Sequence, residues 1–331
     1  MLNGKVILIT GGTGSFGREF TRTVFKKYKP EKLIIFSRDE FKQHEMSKLF
    51  PLEKYPAIRF FIGDVRDKSR LFRAFEGVDY VIHAAALKQV PALEYNPMEA
   101  VKTNVNGADN IVDAAIDAGV KKVVALSTDK AVSPTNLYGA TKLVAEKIFI
   151  AANAYGGGRV KFSVVRYGNV LGSRGSVIPL FLSLKQQNIK EFPVTDERMT
   201  RFWITLDQGV NFVLHALKES EGGEVFVPKI PSMKIGDLAR AIDPACSFKI
   251  TGIRPGEKLH ETLISEDEAR TVKVFDGAYV ILPQFYESPL VHKKYEKCAG
   301  VTDGFVYRSD TNEEWITREQ LLKLIRAVSS E

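Results

Sequence analysis

The residues with the clearest capacity for chemistry follow an apolar segment in the first half of the chain. Thr128, Asp129 and Lys130 bring a hydroxyl, a carboxylate and an ammonium together. Tyr138 and Lys142 come next, and their spacing would put both on one face of a helix. Because an ammonium beside a phenol favours the phenolate, we expect Lys142 to lower the pKa of Tyr138. These side chains form an acid–base set, although the Tyr–Lys spacing alone would also fit an ordinary surface helix.

A glycine-rich loop near the N-terminus indicates the kind of cofactor with which this acid–base set would act. Its glycines give the spacing G-x-x-G-x-x-G between an apolar segment and a helical one. Glycine allows a tight turn and a close approach to a pyrophosphate, and the N-terminus of the next helix then faces the anion. We therefore expect a dinucleotide to bind here, in contact with Gly11, Thr13, Gly14, Ser15, Phe16 and Gly17.

The end of the second predicted strand indicates which dinucleotide binds. A site for NAD usually has an acidic residue there, which binds the ribose 2′-hydroxyl. Here the segment ends in Ser37, Arg38 and Asp39. Ser37 and Arg38 could hold a 2′-phosphate with help from Lys42, whereas Asp39 could serve a hydroxyl instead. We favour NADP as the cofactor, against the alternatives of NAD and of a solvated loop.

Further nucleotide contacts are expected where the next predicted strands end. The residues there are Asp64, Val65, Ala84, Ala85 and Ala86. The first two are placed to meet an adenine edge, and the three alanines are small enough for backbone contact with the nucleotide. Lys88 is also counted among these contacts. Asn104 is included too, although it could equally cap a helix or support the active site.

Composition limits the class of protein. The chain has 331 residues, of which 44% are hydrophobic and 26% charged, and its net charge is +7. No apolar run approaches the roughly 18 residues that span a bilayer, so no membrane association is expected. The two cysteines and five histidines show no ligand spacing, so we expect free thiols, no metal and a cytoplasmic location. The basic residues form no dense run, which argues against nucleic acid as a partner.

Short apolar segments alternate with helical ones over roughly the first half of the chain, as in a parallel α/β sheet. The predicted strands are Val6–Thr10, Lys32–Ser37, Arg59–Gly63, Tyr80–His83, Lys122–Ser127 and Lys161–Arg166. The predicted helices include Arg18–Tyr28 and Asn104–Ala118. After Gly172 we expect fewer strands, with a short one at Glu224–Val227, and a C-terminal helix over Thr317–Ala327.

The expected fold class is therefore α/β, a doubly wound parallel sheet of the Rossmann type with a smaller mixed C-terminal domain. We assign residues 1–172, together with about 205–227, to an NADP-binding domain. Residues 173–204 and 228–331 would form the domain that binds the substrate.

Several motifs, in order along the whole chain, resemble those of the extended short-chain dehydrogenase/reductase superfamily, whose members mostly modify nucleotide sugars. They are GGTGSFG, SRDE, GDVRD, HAAALKQVP, LSTDKAVSPTNLYGATK, RYGNVLGSRGSVIP, MTRFWI and GIRPGEKLHE. Within that superfamily the chain is similar to the UDP-N-acetylglucosamine 4,6-dehydratases that invert C5, of the soluble type that starts pseudaminic acid biosynthesis. Asp129 and Lys130 distinguish this family, because dehydratases that retain C5 have an Asp-Glu pair there.

The resemblance implies that UDP-N-acetylglucosamine becomes UDP-2-acetamido-2,6-dideoxy-β-L-arabino-hex-4-ulose. Tyr138 would take the proton of the 4-hydroxyl, Lys142 would bind the nicotinamide ribose, and Thr128 would bind the 4-oxygen. Oxidation at C4 must come first, since it acidifies the proton on C5. Lys130 would then be the base at C5, and a protonated Asp129 would donate to the departing 6-hydroxyl.

Residues in the second half and in the loop after the fourth predicted strand are expected to bind this substrate. They are Lys88, Asn169, Val177, Thr195, Met199, Arg201, Arg254 and Glu257. Arg201 and Arg254 suit the diphosphate, because a guanidinium can bind phosphate oxygens through two donors.

Other activities of similar chains stay open as alternatives. A dehydratase that retains C5 and a UDP-sugar 4-epimerase are the enzymatic ones, and the epimerase has no need for the Asp129–Lys130 pair. An NADP-sensing regulator is the non-enzymatic one, but such regulators typically lose the Tyr or the Lys that this chain keeps. The resemblance also implies a homo-oligomer, either a dimer or a hexamer, and a product used for flagellin or other surface glycans.

Overall fold

Short runs of β-branched and aromatic residues form the strands of this chain. The computed structural model describes residues 1–171, 177–286 and 288–329, with side chains up to residue 325. The strands are β1 (Val6–Thr10), β2 (Lys32–Ser37), β3 (Ile58–Ile62), β4 (Tyr80–His83), β5 (Lys122–Thr128), β6 (Lys161–Tyr167), β7 (Asn169–Val170), β8 (Glu191–Val194), β9 (Thr200–Ile204), β10 (Val225–Pro228), β11 (Ser232–Lys234), β12 (Ser247–Ile250), β13 (Thr262–Ile264), β14 (Val272–Phe275), β15 (Ala278–Ile281) and β16 (Tyr307–Arg308).

Helices connect most of these strands. They are α1 (Ser15–Lys27), α2 (Glu40–Leu49), α3 (Lys68–Phe75), α4 (Val90–Tyr95), α5 (Pro97–Ala100), α6 (Gly107–Asp117), α7 (Leu137–Tyr155), α8 (Val177–Gln186), α9 (Leu206–Glu219), α10 (Ile235–Ile242), α11 (Glu266–Ala269), α12 (Pro289–Tyr295) and α13 (Arg318–Ser329). A π-helical segment, Val101–Asn106, leads into α6, and a 3-10 turn, Asp129–Ala131, follows β5.

The main sheet has the order β14-β15-β10-β6-β5-β4-β1-β2-β3 within the described residues. All neighbours from β3 to β10 run parallel, and only β15 and β14 are antiparallel. Every residue of β1 is buried, as expected for a parallel strand covered on both faces. The order 3-2-1-4-5-6 leaves a crevice where the connections from β1 and β4 turn to opposite sides. The predicted fold class, a doubly wound parallel sheet, is confirmed.

The predicted strands of the first half agree with the structure to within one or two residues. Among the predicted helices, Arg18–Tyr28 begins earlier, at Ser15, and Asn104–Ala118 is π-helical up to Asn106. In the second half the expectation of few strands was wrong. The strands there are two to five residues long, and most of them pair with strands that are distant in sequence, such as β12 with β8 and β13 with β16. Such short strands leave no recognisable alternation in the sequence.

Two hydrophobic clusters hold the chain together. The larger one surrounds the main sheet. The smaller one joins α8, α10 and α13 to strands β8 and β9, through side chains such as Phe181, Phe192 and Leu238. The predicted domain boundary at Gly172 lies outside the described residues. Strands β14 and β15 join the main sheet, although their residues belong to the predicted substrate domain, so the two-domain division stays a prediction.

Among the described residues, none of the helices has the length and apolarity that a membrane crossing requires. Over the same ranges, no group of three or more His, Cys, Asp and Glu side chains is arranged to hold a metal ion. Cys246 and Cys298 are both free thiols.

Candidate active site

A cavity of about 1210 Å³ opens at the carboxyl ends of β1, β4, β5 and β6. Its far wall comes from β7, β9, α8 and the loop before β13. Binding sites for single drug-sized molecules measure about 300 to 1,000 Å³, so this cavity has room for two ligands side by side. Nearly every site residue predicted from the sequence lines it. The exceptions among the predicted residues are Gly17, Asn104 and Asp129.

The glycine loop forms one end of the cavity. Gly11 has a φ of 65°, and a side chain there would meet the backbone of Ala85 at 2.9 Å. Gly14 is the N-cap of α1 and offers no side chain to cap the first amides of the helix. These amides therefore remain available to an anion at the cavity wall. Gly17 acts differently, because it lets α1 pack directly on the backbone of Gly12.

The end of β2 carries the residues predicted to select the dinucleotide. The hydroxyls of Ser37 and Thr13 are 2.9 Å apart and lie in the cavity wall. Asp39 is the N-cap of α2, and its carboxylate accepts from the backbone and the ammonium of Lys42. The side chain of Arg38 is 54% exposed and lies 3.7 Å from a carboxylate oxygen of Asp64. Asp39 is thus engaged within the protein, whereas Arg38 retains free donors.

Two buried contacts hold the loop that follows β4. The hydroxyl of Thr10 lies 2.9 Å from Nδ1 of His83 and accepts from the backbone amides of Ala84 and Ala85. Asn104 exchanges two hydrogen bonds of 2.9 Å with the backbone of Leu87. It also donates to the hydroxyl of Thr141 on α7. Asn104 therefore ties the loop to the helix that carries Tyr138, and it does not cap a helix.

The acid–base set lies where β5 ends and α7 begins. Thr128 is the last residue of β5, and Asp129 opens the 3-10 turn. Asn136 caps α7 by accepting from the amide of Gly139. Gly139 lies so close to the carbonyl of Lys130 that no side chain would fit between them. This contact brings the turn and the helix together at the cavity wall.

The pKa of Tyr138 differs from the sequence expectation. Burial raises it, and the charge of Lys130 and a hydrogen bond with Thr128 oppose that rise. Lys142 does not contribute to the pKa of Tyr138, and its ammonium donates to the backbone carbonyl of Leu126 at 2.7 Å. Burial lowers the pKa of Lys142 to about 8, with Glu146 opposing the change. The expectation that Lys142 lowers the pKa of Tyr138 is therefore wrong for the protein without a bound ligand. Lys130 is the cation that acts on Tyr138.

Lys130 is held by two carboxylates. Its Nζ lies 3.0 Å from Asp129 and 3.3 Å from Glu261. Burial alone would lower the pKa of Lys130, but these carboxylates outweigh it and raise the pKa. Burial also raises the pKa of Asp129, and Glu261 adds to that rise while Lys130 opposes it. The resting Lys130 is therefore cationic, and it must lose a proton before it can act as a base.

The residues predicted to bind the substrate line the opposite wall. Arg201 is buried, and its guanidinium donates to the carbonyls of Thr200, Lys258 and Leu259. Most of its donors are thus used within the protein, which leaves Arg254 as the exposed arginine among the described residues of this wall. The other predicted contacts in the wall are Lys88, Asn169, Val177, Thr195, Met199 and Glu257.

Sequence reasoning missed several polar residues of the cavity wall, among them Glu261, Trp203 and Thr103. Glu261 ends the motif GIRPGEKLHE, but nothing in its local sequence indicates an active-site carboxylate. Trp203 and Thr103 are buried, and Nε1 of the first and the hydroxyl of the second have no hydrogen-bond partner among the described residues. Trp203 shares a face of β9 with Arg201, so strand alternation could have identified it.

Comparison with known proteins gives consistent results. Residues 7–283 match the family model described as "Polysaccharide biosynthesis protein". A UDP-N-acetylglucosamine 4,6-dehydratase (inverting) from Campylobacter jejuni subsp. jejuni serotype O:23/36 (strain 81-176) is 55% identical over 98% of both chains. A UDP-glucose 4-epimerase from Rickettsia massiliae is 45% identical over 80% of this chain and 79% of its own. The X-ray structure of Pen from Bacillus thuringiensis superposes with a TM-score of 0.89, with 38% identity and 99% of both chains covered.

Proposed function

Since the chain belongs to the polysaccharide biosynthesis protein family, we propose that it is a UDP-N-acetylglucosamine 4,6-dehydratase that inverts C5 and uses NADP. The observation that carries this proposal is that Lys130, paired with the buried Asp129, lines one cavity together with Tyr138 and the glycine loop. A redox reaction at C4 needs only the tyrosine and the cofactor. A proton donor and a proton acceptor next to them suit the loss of water from C5 and C6.

The proposed mechanism assigns one task to each side chain. Tyr138 accepts the proton of the 4-hydroxyl, and the hydroxyl of Thr128 orients the same oxygen. A nicotinamide held by the glycine loop and Lys142 would supply reversible hydride transfer for this chemistry. Lys130 removes the C5 proton once its own proton has moved to a neighbouring carboxylate. Asp129 donates to the departing 6-hydroxyl, in keeping with the raised pKa of this buried carboxyl.

The residues at the glycine loop fit a dinucleotide. A close backbone approach at Gly11 and uncapped helix amides after Gly14 are the features that a pyrophosphate requires. We favour NADP over NAD because Asp39 is engaged as a helix cap, whereas Arg38 can turn towards a 2′-phosphate. Lys142, which also lines the cavity, would contact the nicotinamide ribose.

The nucleotide sugar would lie between the acid–base set and the cavity wall formed by β7, β9, α8 and the loop before β13. Among the described arginines of this wall, Arg254 has donors free for the diphosphate, whereas Arg201 mainly fixes the loop around residue 258. Lys88 also lines this space, and both its partial burial and the charge of Lys130 lower its pKa. The remaining predicted contacts, to the sugar and the uridine, stay proposals.

The test is to incubate the purified protein with UDP-N-acetylglucosamine in D₂O and to follow the sugar by proton NMR. We expect a new C6 methyl signal, deuterium at C5 and the couplings of an L-arabino sugar. A methyl signal with D-xylo couplings would show dehydration with retention and would exclude the proposed inversion.

Two other outcomes correspond to the competing functions. Formation of UDP-N-acetylgalactosamine would show a 4-epimerase, which the likeness to the Rickettsia enzyme keeps as the second candidate. No reaction by protein that binds NADP would favour the regulator. Three further points stay predictions. They are the use of the product for pseudaminic acid, a cytoplasmic location and a dimeric or hexameric assembly.

A further inference from the structure

The ammonium of Lys130 lies between two carboxylates that come from distant parts of the chain. Nζ is 3.0 Å from Oδ1 of Asp129 and 3.3 Å from Oε1 of Glu261. Asp129 directly follows β5, whereas Glu261 directly precedes β13. The side chains of Asp129 and Glu261 are 0% and 3% exposed. Two carboxylates therefore share one ammonium in the protein interior.

The surroundings of the two carboxylates differ. Glu261 has a second cation, because Nε of Arg201 lies 3.6 Å from Oε1. Asp129 has no ion-pair partner other than Lys130 among the described residues, and it accepts from the hydroxyl of Thr128 at 2.9 Å. Two ionised carboxylates so close together are unfavourable in a buried site, so one of them retains a proton. Glu261, with two cations, takes the negative charge.

The pKa directions agree with this assignment. Burial alone would raise the pKa of Glu261, but Lys130 and Arg201 outweigh it and lower the pKa. The pKa of Asp129 is raised, first by burial and then by the charge of Glu261. Oδ2 of Asp129 has no hydrogen-bond partner among the described residues. A proton on this oxygen would remain free to be donated.

We propose that Glu261 is a positioning residue for the dehydration, which fixes the ammonium of Lys130 and carries the negative charge of the carboxylate pair, so that Asp129 stays protonated. This inference rests on the proposed function. In that reaction Lys130 passes its own proton to Glu261 and takes the proton of C5, and the electrons of the C5–H bond form the double bond between C5 and C6. The bond from C6 to oxygen breaks, and the oxygen leaves as water with the proton of Asp129. An acid that was already ionised could not supply that proton.

Other charged groups face the same ammonium and carboxylates. Arg201, Lys258 and Lys88 lie around them, and Tyr138 lies on the side of α7. These groups are cations or neutral, so Glu261 is the negative charge that acts on Asp129 among the described residues. Removal of that charge alone should therefore release the proton of Asp129 to solvent.

The test measures the protonation of Asp129 directly in the resting, full-length protein. Infrared spectroscopy detects the carbonyl stretch of a neutral carboxylic acid, and its loss in Asp129→Asn would assign the band to Asp129. In Glu261→Gln we expect the band to disappear at neutral pH and to return only about one pH unit lower, or further. Glu261→Asp should restore part of the native behaviour. An unchanged band in Glu261→Gln would overturn the proposal.

Turnover provides a second measurement. The alkaline limit of the dehydration rate should move to lower pH in Glu261→Gln, because the acid form of Asp129 is then lost earlier. Glu266→Gln is the matched control, since it removes an exposed carboxylate a few residues further on and should leave both the band and the pH profile unchanged. If the native protein does not dehydrate UDP-N-acetylglucosamine, the proposed function fails, whereas the infrared result still decides the role of Glu261.

Discussion

Individual side chains of the cavity take their properties from partners that are distant in sequence. Lys130 is held cationic by Asp129 and by the distant Glu261, and Tyr138 is influenced by Lys130 more than by Lys142, its neighbour on the same helix. The adjacent residues Asp129 and Lys130 form a pair. The charge of that pair depends on Glu261, in the loop before β13, and on its partner Arg201 in β9. Replacement of one side chain should therefore affect a specific step of the reaction.

Replacement of Tyr138 tests the redox step. Tyr138→Phe removes the phenol that accepts the 4-hydroxyl proton, so kcat should fall roughly a hundred- to ten-thousand-fold, the range for loss of a general base. Binding of NADP should change little, which equilibrium fluorescence titration can measure. Tyr155→Phe is the control, because Tyr155 lies at the far end of α7 and is 60% exposed. Full activity of Tyr138→Phe would exclude the proposed role.

Replacement of Arg254 tests the diphosphate contact. Arg254→Ala should raise the KM for UDP-N-acetylglucosamine roughly ten- to a hundredfold, because charged hydrogen bonds to phosphate are lost. The affinity for NADP should stay close to that of the native protein. Arg198→Ala removes an exposed guanidinium that pairs with Asp196 and serves as the control. Equal loss of affinity for both ligands would contradict this assignment.

The sequence predicted the local parts of the site and missed the distant ones. Thr128, Lys130, Tyr138 and Lys142 lie in short motifs, and all of them line the cavity. Glu261 could not be predicted, because its role depends on Lys130 and Arg201, which only the folded chain brings to it. For the same reason the orientation of Arg201 was not predictable, since its donors go to carbonyls of a loop without regular structure.

Packing of whole elements determines whether these side chains meet. α7 can approach the 3-10 turn because Gly139 has no side chain beside the carbonyl of Lys130. The carboxyl ends of β1 and β4 are joined by Thr10 and His83, which also hold the loop after β4. Both contacts predict effects that arise from the packing of helices and strands, and not from the reacting side chains.

A side chain added at position 139 of α7 should move the catalytic groups apart. Gly139→Ala would force the helix away from Lys130, and a displacement of about 1 Å can reduce kcat about a hundredfold. Gly209→Ala in α9 is the matched control, because no atom lies within 4 Å of the added methyl group. It should leave kcat unchanged and stabilise the helix by up to about 1 kcal/mol. Steady-state kinetics and thermal unfolding would measure both effects, and native kcat in Gly139→Ala would contradict the packing argument.

The contact between β1 and β4 should make the protein sensitive to acid. Burial lowers the pKa of His83 from 6.5 to about 3, with a smaller contribution from Lys142. Below pH 6.5 the unfolded chain takes up a proton that the folded chain refuses, so the free energy of unfolding falls by up to about 1.4 kcal/mol per pH unit. This loss continues until the pH reaches about 3.

Replacement of His83 provides the measurement. In His83→Asn the free energy of unfolding, obtained from urea titrations at several pH values, should depend less steeply on pH between 6.5 and about 3. His44→Asn, on the surface of α2, should keep the native slope. An unchanged slope in His83→Asn would show that other groups cause the acid sensitivity.

Elements of the first half were predictable because their strands are buried on both faces and are separated by amphipathic helices. The π-helical turn before α6 was not, since its only signal is the buried contact of Asn104 with a distant loop. Strands of the second half were missed for a related reason. Two or three residues, as in β13 and β16, are too few to show a period.

The whole molecule should respond to its cofactor in a way that distinguishes NADP from NAD. A ligand that binds only the folded state stabilises it by about 2.7 kcal/mol at a hundred times its Kd. NADP should therefore raise the Tm more than an equal concentration of NAD, because Arg38 gains a 2′-phosphate. Arg38→Ala should remove this difference, whereas Arg73→Ala, whose side chain is 78% exposed, should keep it. Equal stabilisation of the native protein by both would contradict the preference for NADP.

The distance along the chain between Lys130 and Glu261 has a consequence for the growing polypeptide. A ribosome delivers the glycine loop, Asp129 and Lys130 in the first half of synthesis, and Glu261 only when β1 to β12 have emerged. Until then the lysine has one carboxylate partner, and no second charge keeps the proton on Asp129. On the proposed function, the nascent chain would thus acquire its dinucleotide loop well before Glu261 can set the proton on Asp129.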